Sequence, residues 1–274
     1  MAQDTSAQSK FQQYLAEIYR YPKKLENYSL MSLHSGVSKL SIAKNFQTKL
    51  APSFNIELRY GFIRFNEEID APGRVYMANE YIYLQSNSSG LKPKSWEFKG
   101  IPTDAWRFGF AFRNGYGFVI GKNQYLTFDH TGSLNWSRID VEWPSLIERD
   151  QKKLNIFDET FRFGTEFESG ISYSITNFMQ ASIAYNHSVV MHGINLLQVA
   201  LSSTLELSIQ RTIDYLAYEY IWQNPNEIPY ANFIAKSLVS YLIYELRRYN
   251  QNWPFKSKEP LSYDSFYFGV TFVF

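Results

Sequence analysis

Along most of the chain, large apolar residues alternate with small or polar ones at a spacing of two, the signature of strands with two unlike faces. In residues 53–65, Phe54, Ile56, Leu58, Tyr60 and Phe62 share one face, and Asn55, Glu57, Arg59, Gly61 and Ile63 share the other. Between 105 and 121, Trp106, Phe108, Phe110 and Phe112 oppose Arg107, Gly109, Ala111 and Arg113, and the Asn114-Gly115 pair reads as a type I′ hairpin turn. A second turn is expected at His130–Ser133. In 160–174, Phe161, Phe163, Phe167, Ile171 and Tyr173 face away from Arg162, Gly164, Glu166, Glu168 and Gly170. Alternation recurs in 178–189 and 196–210, the latter setting Leu197, Val199, Leu201, Leu205 and Leu207 against Gln198, Ser202, Glu206 and Gln210. Two segments follow helical spacing instead. Phe11, Leu15 and Ile18 mark a short amphipathic helix over 8–20, and Phe233, Ile234, Leu238, Tyr241, Leu242 and Leu246 mark a longer one over 229–249, with Pro229 near its start.

The final stretch, 261–274, is the most regular. Phe266, Phe268, Val270, Phe272 and Phe274 occupy one face, with Ser265, Tyr267, Gly269 and Thr271 on the other. A strand that ends the chain on Phe after alternating apolar residues resembles the C-terminal targeting signal of bacterial outer-membrane β-barrel proteins. The resemblance covers this stretch alone. It implies an outer-membrane location, a mature chain after signal-peptide removal, and recognition of the last strand by the barrel assembly machinery.

The expected fold is all-β, a closed antiparallel transmembrane barrel of about twelve strands, or ten if the weaker ones drop out. The strands begin near 35, 53, 79, 94, 105, 116, 133, 160, 178, 196, 211 and 262. Residues 1–34 would form a periplasmic N-terminal segment with the short helix, and 35–274 the barrel. The 229–249 helix becomes an extracellular insertion, since the resemblance puts the last strand's end in the periplasm. A soluble β-sandwich is the competing fold, but it leaves carboxylates and guanidinium groups facing a dry core.

Composition agrees with this picture. The 274 residues include 21 Tyr, 22 Phe and 6 Trp, enough for aromatic girdles at two membrane interfaces. A formal net charge of +1 speaks against nucleic acid as a partner. The chain has no Cys, so disulfides, zinc–thiolate sites and thiol nucleophiles are excluded. The first ten residues lack an apolar signal-peptide core, and the chain reads as a mature form with a start Met.

The candidate chemistry lies on the polar faces. Glu57, Arg59, Arg107, Arg113, Arg162, Glu166, Glu168 and Glu206 should line the lumen. Balanced signs favour an internal ion-pair network that fills a small barrel; a charge-selecting constriction is the alternative. His187-Ser188 suggests a lipid hydrolase, yet neighbours in a regular strand point to opposite faces. No metal-ligand spacing, phosphate loop or G-x-S-x-G elbow is present, and no cofactor is expected. The expected role is structural or accessory, as a subunit of a larger outer-membrane assembly. A narrow porin-like channel comes second and a lipid hydrolase third. Expected partners are outer-membrane lipids, the assembly machinery and other surface proteins.

Overall fold

The computed structural model describes residues 27–42, 46–67, 73–91, 100–142, 148–221 and 226–274. Eight antiparallel strands close into a barrel in sequence order, with β8 paired back to β1. They are β1 (Tyr28–Ile42), β2 (Ser53–Glu67), β3 (Arg74–Ser88), β4 (Thr103–Gly121), β5 (Gln124–Val141), β6 (Arg162–Thr176), β7 (Met179–Val190) and β8 (Leu261–Val273). Among the described residues three helices lie in the connections: α1 (Glu148–Leu154), α2 (Leu196–Ile221) and α3 (Ile228–Tyr249).

The expectation of twelve or ten strands is therefore corrected to eight, for two reasons. Asn114-Gly115 does not turn; β4 runs straight through it, and Asn114 pairs with His130 and Gly115 with Asp129. A Cβ on Gly115 would lie 2.1 Å from the Phe128 carbonyl oxygen, so glycine serves close strand approach here and not a reversal. His130–Ser133 likewise stays within β5. The true reversal is Lys122-Asn123, with Asn123 at φ 57°. Second, residues 196–221, read as two strands, form the helix α2. The strand expected near 94 and the helix over 8–20 fall outside the described residues. Barrel structure begins at Tyr28, inside the stretch assigned to the N-terminal segment.

The two ends of the barrel differ. The end bearing Tyr28 and Phe274, here the lower end, carries the short reversals at Lys122-Asn123 and Asn177-Phe178. The upper end carries the long connections that include α1, α2 and α3. Short turns at one end and long loops at the other are usual for outer-membrane barrels.

Around the circumference the outward residues are apolar and exposed. They include Met31 and Leu33, Ile56 to Phe62 at alternate positions, Ile82 and Leu84, Trp106 to Phe112, Ile171, Ile183, and Phe266 to Phe272. Polar pairs bound this belt, Arg64–Glu80 towards the lower end and Arg138–Asp140 towards the upper. An exposed apolar girdle of this kind is what a barrel solvated by hydrocarbon would present.

The interior is closed at both ends. Towards the lower end Leu30, Ile63, Met77, Tyr81, Tyr83, Ala111 and Val273 pack together. At the upper end the connecting segments fold inward, setting Leu50, Ile101, Leu154 and Phe157 on Leu40, Ile42, Ala105, Ile139, Val141, Val190, Leu261 and Tyr263. Backbone hydrogen bonds join the segments of this cap, Ala51 N to Ile101 O at 2.9 Å and Ile101 N to Lys49 O at 2.9 Å. Gly100 makes them possible. Its φ is +135°, and a Cβ there would meet Leu50 and Ala51 backbone atoms at 2.6–2.7 Å.

Candidate functional site: a filled lumen and a helix-covered wall

Inward-facing side chains fill the lumen with a paired network. Arg59 Nη1 and Nη2 donate to both oxygens of Glu168 at 2.9 and 2.5 Å, and its Nε donates to Glu57 at 2.5 Å. Arg113 is bidentate on Asp129, both bonds 2.7 Å, and adds a bond to Ser172 at 2.6 Å. Arg107 donates to Glu166 at 2.5 Å, Ser188 at 2.7 Å, Ser137 at 3.1 Å and Gln85 at 3.2 Å. Its guanidinium also lies 4.7 Å from the Tyr263 ring centroid, and that of Arg59 lies 5.0 Å from that of Tyr81. Planar guanidinium groups suit this role because each engages several partners at once. All these ions are at most 4 % exposed.

Six of the eight expected lumen residues are therefore brought together: Glu57, Arg59, Arg107, Arg113, Glu166 and Glu168. The other two are not part of this network. Arg162 opens β6 at the upper end, where it donates to the Ile156 and His192 carbonyls. Glu206 lies outside the barrel on α2, because its segment is helical. Asp129, which sequence reading missed, completes the Arg113 pair. The supposed turn at His130–Ser133 hid the continuity of β5 that turns Asp129 inward.

His187 and Ser188 face opposite sides of β7. Ser188 accepts from Arg107 in the lumen, whereas His187 lies on the outer wall with its ring centroid 4.8 Å from that of Tyr244. No dyad forms between them.

The second feature is the outer wall of β4–β7. Outward positions there that interrupt the apolar belt are Asn114, His130, Thr165, Ser169 and His187, and α3 lies over them. Ser240 Oγ sits 2.8 Å from His130 Nε2, Ser237 donates to Ser169 at 2.8 Å, and Lys236 reaches Asn114 at 3.4 Å. Tyr244 OH donates to Asp264 on β8 at 2.9 Å. Phe233 packs on Phe128, and Arg74 at the lower end donates to Asn226 between the two helices. The hairpin thus descends the wall from the upper end to the lower, so its two helices are not a lid over the mouth. The helix expected over 229–249 is present as α3, but it runs down the barrel wall instead of standing above the upper end as an extracellular insertion.

Polar groups also join α2 to α3. Arg247 pairs with Glu206 at 2.7 Å and donates to Ser202 at 3.0 Å. Lys236 pairs with Asp214 at 2.7 Å, and Gln210 donates to Ser240 at 2.7 Å. The Ser240–His130 pair has the atoms of a nucleophile and a base, but Gln210 and α3 enclose it. Ser240 is fully buried, which leaves no approach for a carbonyl substrate. Among the described residues no cluster of His, Asp and Glu fits a metal ion.

Outside the spanning strands one carboxylate organises the cap. Asp150 on α1 accepts from Thr48 Oγ1 at 2.6 Å, Thr48 N at 2.9 Å and Gln47 N at 3.1 Å. Burial alone raises its pKa. The three donors and nearby Arg149 outweigh that and hold it below the usual carboxylate range.

No protein-family model matches the chain, and no curated protein matches it. Among solved structures it is similar to Neisserial surface protein A, at 9 % identity over 91 % of this chain and 99 % of that one, with a TM-score of 0.43. It is also similar to the attachment invasion locus protein Ail of Yersinia pestis, solved with the heparin analogue sucrose octasulfate. That match has 10 % identity, covers 91 % of this chain and 100 % of that one, and has a TM-score of 0.33. A third is the outer membrane protein OprG of Pseudomonas aeruginosa, at 8 % identity over 92 % and 97 %, with a TM-score of 0.30. At these scores the likenesses add nothing to the barrel visible in the chain itself.

Proposed function

We propose that the chain is an integral outer-membrane β-barrel with a structural or accessory role, a subunit of a larger outer-membrane assembly that works through its outer wall and upper surface. The observation that carries this reading is the filled interior. Three guanidinium groups and four carboxylates occupy the middle of the lumen, and apolar clusters close both ends. A solute path would need these ions free to hydrate, whereas each guanidinium already holds several protein partners. The membrane location is supported by the exposed apolar belt and the asymmetry between short lower turns and long upper connections. The face of β8 bearing Phe266, Phe268, Val270 and Phe272 is exposed on the barrel exterior, so these residues would face lipid.

The test is a gel on detergent-extracted membranes of the native host, run with and without boiling beside a native gel. A band that shifts on boiling and migrates natively in a complex with defined partners supports the subunit reading. A heat-modifiable band that is monomeric under every mild extraction sinks the assembly part, and recovery in the soluble fraction without a shift sinks the whole.

A further inference from the structure

We propose that the α2–α3 hairpin lies within the hydrocarbon layer beside the barrel, its outward ridge and the groove next to His187 covered by lipid acyl chains. The proposal rests on the reading of the barrel as membrane-spanning. No described helix is long and apolar enough to cross a membrane alone. The hairpin does not have to be, because its polar half is turned inward.

On α3 the exposed residues are Tyr230, Ala231, Ile234, Leu238, Tyr241, Leu242, Leu246 and Tyr249, with no charge among them. Its buried residues are Ile228 and Pro229 at the start, then Asn232, Lys236, Ser240, Ile243, Tyr244 and Arg247. That is the reverse of a helix packed on a core in water, where the apolar stripe is buried. α2 repeats the inversion, with Ser202, Glu206 and Gln210 buried and Leu197, Leu201, Leu205, Leu207 and Leu216 exposed. Water would solvate Glu206, Arg247 and Lys236 well, and a helix in water would have no cause to bury them against a wall. In hydrocarbon such groups must pair with one another, as Glu206–Arg247 and Asp214–Lys236 do.

The exposed hydroxyls of α2 provide an independent sign. Thr204, Ser208 and Thr212 donate to the carbonyls four residues earlier, Ala200, Thr204 and Ser208, at 2.7–2.8 Å. They are thus satisfied within the helix without water. Among the described α2 side chains Arg211 is the one exposed charge. It sits in the lower half, from which its long stem can reach towards the interface.

Dimensions agree. The 22 residues of α3 extend about 33 Å at 1.5 Å per residue, against a hydrocarbon thickness of about 30 Å. Tyr230 and Tyr249 stand near its two ends, where amphipathic rings favour the interfaces. The ridge is continuous with the barrel's apolar belt through Ile183 and Tyr185. Between α3 and β6–β7 lies a groove of about 310 Å³ whose exposed surface is almost wholly apolar; Tyr185, His187, Phe233, Ile234, Leu238 and Tyr241 line it together with Ser169 and Ser237, which bond each other. An acyl chain of an outer-leaflet lipid fits both its chemistry and its position on the upper half of β7.

The chain has no native cysteine, so single labels are unambiguous. Leu238→Cys, Leu242→Cys and, as a barrel control, Phe268→Cys are each given a nitroxide and reconstituted in phospholipid vesicles. Collision with oxygen, which favours lipid, is compared with collision with a water-soluble nickel chelate. The proposal expects the same oxygen excess at Leu238 and Leu242 as at Phe268. Chelate access at Leu238 and Leu242 with Phe268 still in lipid overturns it and puts the hairpin in water. Exclusion of both probes there overturns it in favour of a protein occupant. Chelate access at Phe268 as well removes the membrane reading itself.

Discussion

Replacing Arg107 by methionine probes the lumen directly. Arg107 is fully buried, bonded to Glu166, Ser188, Ser137 and Gln85, and stacked on Tyr263. Methionine keeps much of the stem but removes the charge. Glu166, 4 % exposed, then retains only Tyr83 OH among its mapped partners, at 3.5 Å. Breaking a buried pair in this way costs about 3–5 kcal/mol, because a charge is left without compensation. At about 1.4 kcal/mol per decade, that is roughly two to nearly four orders of magnitude in the folding equilibrium. Glu166→Gln alone should cost a similar amount, since Arg107 is then the unpaired ion. The double variant should cost no more than either single one, giving a coupling energy of about 3 kcal/mol or more. Urea unfolding in vesicles, followed by tryptophan fluorescence and gel mobility, measures all four corners of the cycle. Single-variant costs below about 1 kcal/mol with no coupling would mean that water already solvates these ions, and the filled-lumen account would be wrong.

Other perturbations address separate parts of the molecule. Arg247→Met leaves Glu206 unpaired between α2 and α3. It should open the 191–260 connection to protease while the barrel still shifts on boiling; unchanged cleavage would show that the pair does not hold the hairpin. Gly100→Ala forces a side chain onto a φ of +135° against the Leu50–Ala51 backbone, at a cost of about 1–3 kcal/mol, read as faster hydrogen exchange at Ala51 and Ile101. Asp150 gives the cap a pH dependence. Its folded pKa is lowered, so its contribution is present above the unfolded pKa of about 3.9 and is lost as pH falls through the lower folded value. Exchange at Gln47 and Thr48 should accelerate over that acidic range in the parent protein and show no such step in Asp150→Asn. Phe274→Ala should slow assembly in cells while leaving the refolded barrel's stability nearly unchanged, because the ring is 73 % exposed.

The sequence made the barrel legible wherever a strand keeps one apolar face outward and one polar face in the lumen. The alternations through Phe54–Phe62, Trp106–Phe112 and Phe266–Phe272 were read correctly for that reason. Turn chemistry misled where glycine served another purpose, as at Gly115, which lets β4 approach β5. The larger miss was α2. Leu197, Val199 and Leu201, then Leu205, Leu207 and Ile209, mimic a strand, yet the residues that decide its packing are Ser202, Glu206 and Gln210, spaced by four. In water one searches for an apolar stripe at that spacing. Here the stripe that meets the protein is polar, and the apolar residues spread over the remaining surface. The same inversion explains why Glu206 was assigned to the lumen. α3 was found because its apolar set is narrower and Pro229 marks its start, but its place along the wall depends on outward His130, Ser169 and His187, which no local pattern singles out.

Single-channel recording on the heat-modifiable band in planar bilayers tests the sealed barrel most directly. The account predicts no steady conductance steps from the parent protein at any holding potential the bilayer tolerates. Reproducible steps whose size changes in Arg107→Met or Glu166→Gln would show an open ion path through the network and contradict it.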